Sequence, residues 1–158
     1  MPSQRFGRIT VAIDGSPHSE EALGFAIDLA RTYGSELTIL AVAPLVPVYL
    51  PSSTPYVPAA MSDPEMGRYR ELVDAAVKKA QTAGVSAVTG LCREGVVVDE
   101  ILAQLETQPT DLAVVGSRGL STAKRLLIGS ISTALVSHAP CPVLVVRPQA
   151  ATRLVRSP

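Results

Sequence analysis

Short apolar stretches of strand length alternate with helix-patterned stretches along the whole chain. The first stretch, residues 8–14, alternates large and small apolar side chains and stops at Gly15. Ser16 and Pro17 then give an N-cap and first-turn signal, and helical apolar spacing continues to Gly34. Signals of the same kind predict strands over 8–14, 36–43, 85–92, 111–116 and 142–147, and helices over 17–33, 63–83, 97–107 and 131–138.

Strands that alternate with helices predict an α/β fold: a single domain with an open, five-stranded parallel sheet that is doubly wound and Rossmann-like. The habit of small folds of this kind favours the strand order 3-2-1-4-5, with residues 149–158 as a flexible basic tail after a domain of residues 1–148. In that order the first and fourth strands are neighbours whose connections leave in opposite directions. Ligands bind at such a switch point, beyond the carboxyl ends of the strands, where this chain carries Asp14 and Gly116.

Composition excludes several function classes. Fourteen basic residues balance fourteen acidic ones, so no overall field attracts nucleic acid or an anionic membrane. Cys92 and Cys141 form no C-x-x-C pair and have no histidine at metal-ligand spacing, which favours free buried thiols. His18 and His138 have no obvious nucleophile partner. Because neither a secretion signal nor a membrane-spanning apolar stretch is recognisable, we expect a cytoplasmic protein.

One long segment stands outside the alternation. Residues 44–64 contain six prolines, too many for regular structure, and predict a long loop. A loop of this length inside a compact domain is either functional or mobile. We therefore regard it as a candidate lid over the site.

The most informative motif follows the fourth strand. Gly116-Ser117-Arg118-Gly119 is separated by nine residues from Gly129-Ser130, which open the last helix. Glycines let the backbone approach a ligand closely, and the amides at a helix start favour an anion, so the motif suits a phosphate. The alternative is purely structural: the glycines serve turns and Ser130 caps the helix.

These residues resemble the universal stress protein family, and the similarity covers the chain from Arg8 to Pro148. The pattern G-x-x-G, nine residues, then G followed by Ser or Thr is that family's nucleotide-binding signature, and every position of it is present. The first strand with its turn, Val11-Ala12-Ile13-Asp14-Gly15-Ser16, and the closing segment from Pro140 to Val146 are similar to the family's first and last strands. The resemblance implies the ATP-binding branch, with Mg²⁺ as a companion of the nucleotide.

The resemblance also implies roles for particular residues. Asp14 would accept a hydrogen bond from a ribose hydroxyl or help to hold a phosphate-bound metal, and the Val42 backbone would contact the adenine edge. Arg118 lies where a guanidinium could meet phosphate oxygens, although it could equally face solvent. Together the implied nucleotide-binding residues are Ala12, Ile13, Asp14, Val42, Val115, Gly116, Arg118, Gly119, Gly129, Ser130 and Ile131.

Several functions remain open on the sequence. The first is a regulatory module of the stress response that binds ATP, and the alternatives are a slow ATP-hydrolysing enzyme, an AMP or cyclic AMP binder, and a protein-interaction module without nucleotide. No Walker loop, kinase set or dinucleotide fingerprint is present, so we expect weak turnover or none. The last strand, Pro142 to Val146, is apolar on both faces, and the resemblance implies a homodimer through it; the alternative is an edge covered by a tail or loop.

Overall fold

A computed structural model describes residues 6–48, 57–59, 62–118 and 128–148 of the chain. Eleven elements lie within these ranges. In chain order they are β1 (Arg8–Ile13), α1 (Pro17–Tyr33), β2 (Glu36–Pro44), β3 (Val46–Val48), β4 (Val57–Ala59), α2 (Asp63–Thr82), β5 (Val88–Gly95), α3 (Val97–Thr107), β6 (Leu112–Gly116), α4 (Ser130–His138) and β7 (Val143–Val146).

The main sheet confirms the predicted fold. Its five strands are all parallel and follow the order β5-β2-β1-β6-β7, which is the order 3-2-1-4-5 in terms of the five predicted strands. One apolar core joins this sheet to α1 and α2, and a second joins it to α3 and α4. Since helices cover both faces, most residues of the central strands are buried: Ile9, Val11, Ile39 and Leu40 are at most 1% exposed.

The start and end of α1 are fixed by the predicted residues. Ser16 is the N-cap, and its hydroxyl accepts a hydrogen bond of 3.2 Å from the Ser19 amide. Gly34 ends the helix in the left-handed conformation, with φ of 65°, which costs glycine little. The predicted start and end of α1 are therefore confirmed.

The central strand ends before β2 at the carboxyl edge of the sheet. The last pair of β1 and β2 is Ile13 with Ala41, whereas β2 continues beside β5 to Pro44. On the other side Ala12 pairs with Val115, and β1 and β6 each end one residue later, so their ends lie level. A notch therefore opens beyond the ends of β1 and β6, beside the longer β2, at the predicted switch point.

The third strand of the main sheet is displaced from its predicted range. It covers Val88–Gly95 rather than 85–92. Val85 instead lies just beyond α2, where its amide donates back to the Ala80 carbonyl at 3.1 Å and its side chain is buried in the core. The strand then continues through Arg93 and Glu94, because β5 lies at the edge of the sheet and tolerates polar side chains there.

The proline-rich segment contains regular structure after all. β3 and β4 pair antiparallel, with Pro47 opposite Pro58. Two prolines tolerate this position because a non-hydrogen-bonded pair of an antiparallel ladder needs no amide donor. The prediction of an irregular loop is therefore wrong for β3 and β4. Residues 49–56 and 60–61 of the same segment lie outside the described residues.

Among the described residues, no helix is both long enough and apolar enough to cross a membrane.

Candidate functional site

A cavity of about 280 Å³ occupies the notch at the end of β1. Ten of the eleven residues predicted to bind nucleotide line it, although they come from four separate stretches of the chain. Gly119 lies outside the described residues. The ten are Ala12, Ile13, Asp14, Val42, Val115, Gly116, Arg118, Gly129, Ser130 and Ile131.

Seven further residues line the cavity and were missed. Leu40 precedes Val42 by two positions and so shares its side of β2, which the strand period could have indicated. Pro44 ends the same strand. The other five come from helices that only the tertiary fold brings to the notch, and a helical apolar pattern does not distinguish a cavity wall from a core. The seven are Ser19, Leu40, Pro44, Tyr69, Val97, Ile101 and Ser132.

The β2 side of the cavity presents backbone acceptors. Glu36 donates its amide to Gly7 before β1, at 2.8 Å, and Leu37 donates to Ala87 before β5, at 2.9 Å. The backbone amide and carbonyl groups of the even-numbered residues of β2 therefore point toward β1. Val42 directs its carbonyl to this side, past the last pair of β1. Pro44, the next residue on that side, has no amide, so this edge ends in carbonyl oxygens.

The opposite side is formed by the start of α4. Gly129 is its N-cap and offers no side-chain bond, so the prediction that Ser130 caps the helix is wrong; Ser130 is its first residue. The first helical hydrogen bond runs from the Thr133 amide to the Gly129 carbonyl at 3.0 Å. The amides of Ser130, Ile131 and Ser132 precede it and therefore have no partner within the helix.

Ser117 ties the two ends of the motif together. Its carbonyl accepts the Gly129 amide at 2.7 Å and the Ser132 hydroxyl at 3.3 Å. Its own amide donates to the Val146 carbonyl of β7 at 2.8 Å. These bonds hold the end of β6 and the start of α4 side by side, so the amides of α4 stay directed at the notch.

His18 has a partner that was not predicted. Its Nδ1 lies 2.8 Å from the Ser117 hydroxyl, which joins α1 to the same motif. Gly116 is glycine for a related reason: a Cβ there would lie 2.8 Å from the His18 backbone. Its φ is not positive, so close helix packing, rather than a tight turn, requires the glycine. Ser117 is 4% exposed, which makes this pair a structural contact.

Asp14 and Tyr69 lie between the two sides. One Asp14 carboxylate oxygen accepts the Ser16 amide at 2.9 Å, and the Asp14 amide is 3.3 Å from the Ser19 hydroxyl. Tyr69 reaches the cavity from α2. Burial raises the pKa of its phenol, and the nearby Asp14 carboxylate raises that pKa further. Tyr69 is therefore a neutral hydrogen-bond donor over the physiological range.

The charges at the cavity are few. Among its described lining residues, Asp14 is the only carboxylate and Arg118 the only cation. No three His, Cys, Asp or Glu side chains within the described ranges converge as a metal-binding group. Cys92 and Cys141 are half-buried free thiols, and burial raises the pKa of both. Any metal at this cavity would therefore share its ligands with a bound phosphate.

The chain belongs to the universal stress protein family, whose model matches residues 5–147. Universal stress protein YxiE of Bacillus subtilis is 36% identical over 148 residues, covering 90% of this chain and 99% of the relative. The solved structure of universal stress protein UspA from Lactobacillus plantarum has a TM-score of 0.77 at 24% identity, covering 90% of this chain and 99% of that one. The predicted family and fold are thus confirmed.

Two further solved structures of similar fold contain nucleotides. One is a universal stress protein in complex with cAMP, with a TM-score of 0.66, 24% identity and coverage of 91% of this chain and 98% of that one. The other is the universal stress protein from Archaeoglobus fulgidus in complex with dAMP, with a TM-score of 0.63, 20% identity and coverage of 89% and 98%.

Proposed function

We propose that the notch binds an adenine nucleotide, with ATP as the ligand, and that the protein acts as a nucleotide-dependent regulatory module of the stress response. One observation carries the proposal: the central strand ends before β2, which presents carbonyl oxygens, and level with β6, which leads into helix amides without a side-chain cap. The order β2-β1-β6 then corresponds to base, sugar and phosphate. The similar proteins with bound cAMP and dAMP support the same class of ligand.

The base lies on the β2 side. Leu40, Val97 and Ile101 give the flat ring an apolar surround there. The Val42 carbonyl accepts from an amino group, which adenine carries where guanine carries a carbonyl oxygen. A guanine base would place oxygen against oxygen at this edge, so adenine is selected by repulsion as well as by attraction.

The phosphates lie at the start of α4. Amides of Ser130, Ile131 and Ser132 and the partial positive charge of the helix end stabilise anionic oxygens. Arg118 adds the one cation of the described cavity wall. Asp14, one strand away, repels phosphate and suits the uncharged sugar or a metal ion bound to the nucleotide.

Binding, rather than turnover, is the activity this site favours. Fast hydrolysis needs a positioned base or a second carboxylate for the metal, and among the described cavity residues Asp14 stands alone as a carboxylate. We therefore expect at most slow ATP hydrolysis. AMP and cyclic AMP are the competing ligands, because one phosphate already satisfies the α4 amides.

The test begins with the ligand that the protein carries from the cell. Acid release from freshly purified protein, followed by chromatography, identifies it, and calorimetric titration then compares ATP, AMP, cyclic AMP and GTP with and without Mg²⁺. We expect ATP to bind at least about tenfold more tightly than GTP, since an unpaired polar edge costs about 1–3 kcal/mol. Equal binding of GTP would contradict the assigned base edge, and no binding of any nucleotide would contradict the proposed function.

We also propose a homodimer through β7, the apolar edge strand of the main sheet. The Ala113 amide donates to the Pro142 carbonyl, and the Ser117 amide donates to the Val146 carbonyl. The backbone groups of the even-numbered residues of β7 therefore point toward β6. Val145 therefore directs its backbone outward, where a second copy can pair with it.

A backbone substitution tests this dimer. Val145→Pro removes one outward amide while leaving the bonds to β6 intact, and Val145→Thr keeps that amide as the matched control. Sedimentation should give a dimer for the natural protein and the threonine variant and a monomer for the proline variant. A monomeric natural protein at micromolar concentration would contradict the proposal.

A further inference from the structure

Tyr69 is a polar cavity residue to which the proposed function assigns no role. It is half-buried and comes from α2, on the opposite face of the sheet from α3 and α4. A purely apolar residue would satisfy a core position here, so its hydroxyl group calls for a partner in the cavity.

Packing fixes Tyr69 over the turn that holds Asp14. Leu72 lies one helical turn later, and its two methyl carbons lie 3.7 and 3.8 Å from where a Cβ of Gly15 would be. Val73, beside it, is 5% exposed in the core. α2 thus packs against the β1–α1 turn. This packing holds the Tyr69 ring next to Asp14 whether or not a ligand is bound.

The electrostatics define what this phenol can do. Burial and the Asp14 carboxylate both keep its proton in place, so it acts as a neutral donor. A sugar hydroxyl can accept from a phenol while it donates to a carboxylate. A donor and an acceptor held together between the base side and the phosphate side are therefore complementary to the hydroxyls of ribose.

We propose that Tyr69 donates a hydrogen bond to a ribose hydroxyl and makes the site prefer ribonucleotides to deoxyribonucleotides. This inference rests on the proposed function, because it requires a nucleotide that spans the notch from β2 to β6. Tyr69 acts through the sugar alone, so it affects neither the selection of the base nor the grip on the phosphates.

The test compares Tyr69→Phe with the natural protein for three ligands: ATP, 2′-deoxy-ATP and 3′-deoxy-ATP. The phenylalanine ring keeps the packing of α2 against the core and removes only the oxygen. Tyr33→Phe, at the far end of α1 and 40% exposed, is the matched control. Calorimetry gives the dissociation constants, and thermal melting checks that both variants are folded.

We expect the natural protein and Tyr33→Phe to bind ATP more tightly than one of the two deoxy analogues by at least about fivefold to tenfold, because that analogue loses the bond from Tyr69 together with the bond to Asp14. In Tyr69→Phe the ATP affinity should fall about fivefold to tenfold, as the loss of one neutral hydrogen bond implies, while the affinity for that analogue stays the same. A natural protein without preference, or an equal loss for all three ligands, would overturn the inference while leaving nucleotide binding standing. If ATP and both analogues fail to bind the natural protein, the proposed function itself fails.

Discussion

The helices α1 and α4 both begin at the carboxyl edge beside the cavity, but only α1 is closed by side chains. Ser16 caps α1 through its hydroxyl, and the Asp14 carboxylate accepts the Ser16 amide in turn. Gly129, the N-cap of α4, forms no side-chain cap, and the first turn of α4 contains no acidic residue. The start of α1 therefore has a side-chain cap, whereas the start of α4, which borders the cavity, has none.

This difference separates the residues that stabilise the fold from those that bind. A side-chain cap stabilises a helix by about 1 kcal/mol. A helix that forgoes this cap loses that stability unless an anion replaces it. The loss at α4 is offset by the bonds of Ser117 and Ser132, which hold its first turn against β6 without using the amides of the first residues. We expect substitutions at the two helix starts to have opposite consequences.

The largest effect on nucleotide affinity should come from placing a negative charge at the start of α4. In Ser130→Glu a carboxylate lies at the amides that are proposed to bind phosphate. Repulsion between two charges about 4 Å apart reaches about 4 kcal/mol near a protein surface, so nucleotide affinity should fall at least about 100-fold. Stability should hold or rise slightly, since a carboxylate suits a helix start. Calorimetry and thermal melting measure the two.

Thr133→Glu is the matched control, because Thr133 is exposed in the same turn and does not line the cavity. It introduces the same charge, and its nucleotide affinity should stay within a few-fold of the natural value. Equal losses in both variants would mean that general charge, not the amides of α4, decides binding.

The next largest effect, on stability, should come from removing the side-chain cap of α1. Ser16→Ala removes the hydroxyl that accepts the Ser19 amide, and Ser16 is only 2% exposed, so water does not replace it. The free energy of unfolding should fall by about 1–2 kcal/mol in urea titration. Nucleotide affinity should change less than twofold. A strong loss of affinity with unchanged stability would show that the Ser16 cap itself takes part in binding and would remove the contrast.

A smaller effect should follow at the contact that supports the uncapped helix. Ser132→Ala deletes hydrogen bonds of 3.0 Å to the Gly129 carbonyl and 3.3 Å to the Ser117 carbonyl. The Ser117 carbonyl keeps the Gly129 amide, so the cost should be about 0.5–1 kcal/mol in unfolding free energy. Affinity should weaken a few-fold as the start of α4 loosens. Ser137→Ala, exposed at the other end of α4, serves as the control.

The same contrast shows where the sequence was informative. Strand and helix alternation predicted a parallel sheet, and the habit of small folds of this kind predicted its strand order. The cap and stop signals at Ser16 and Gly34 predicted α1, because local chemistry determines where a helix starts and ends. The third strand was displaced because Val85, although apolar, hydrogen-bonds back to the last turn of α2. Tyr69 lies in the predicted helix 63–83, but only tertiary packing brings α2 beside Asp14. The partnership of His18 with Ser117 joins residues 99 positions apart, which no local pattern signals.

The smallest effect concerns α2, whose start is closed by a charged side chain. The Glu65 carboxylate accepts both the amide of Ser62, at 3.0 Å, and its hydroxyl, at 2.7 Å. The hydroxyl bond first, and then the amide bond, lower the pKa of Glu65 below 4.5. A lowered folded-state pKa means that Glu65 adds stability above its unfolded-state pKa and loses it as pH falls through the folded-state value.

Glu65→Ala should therefore be slightly less stable than the natural protein at pH 7, and the difference should vanish by about pH 3, well into the carboxyl range. Urea titration at both pH values measures it. Glu71→Ala, exposed later on α2, should show no comparable pH-dependent difference. Because Glu65 does not line the cavity, nucleotide affinity should be unchanged, unlike in Ser130→Glu. A gap between Glu65→Ala and the natural protein that persists in acid would mean that the side chain stabilises α2 by something other than its charge.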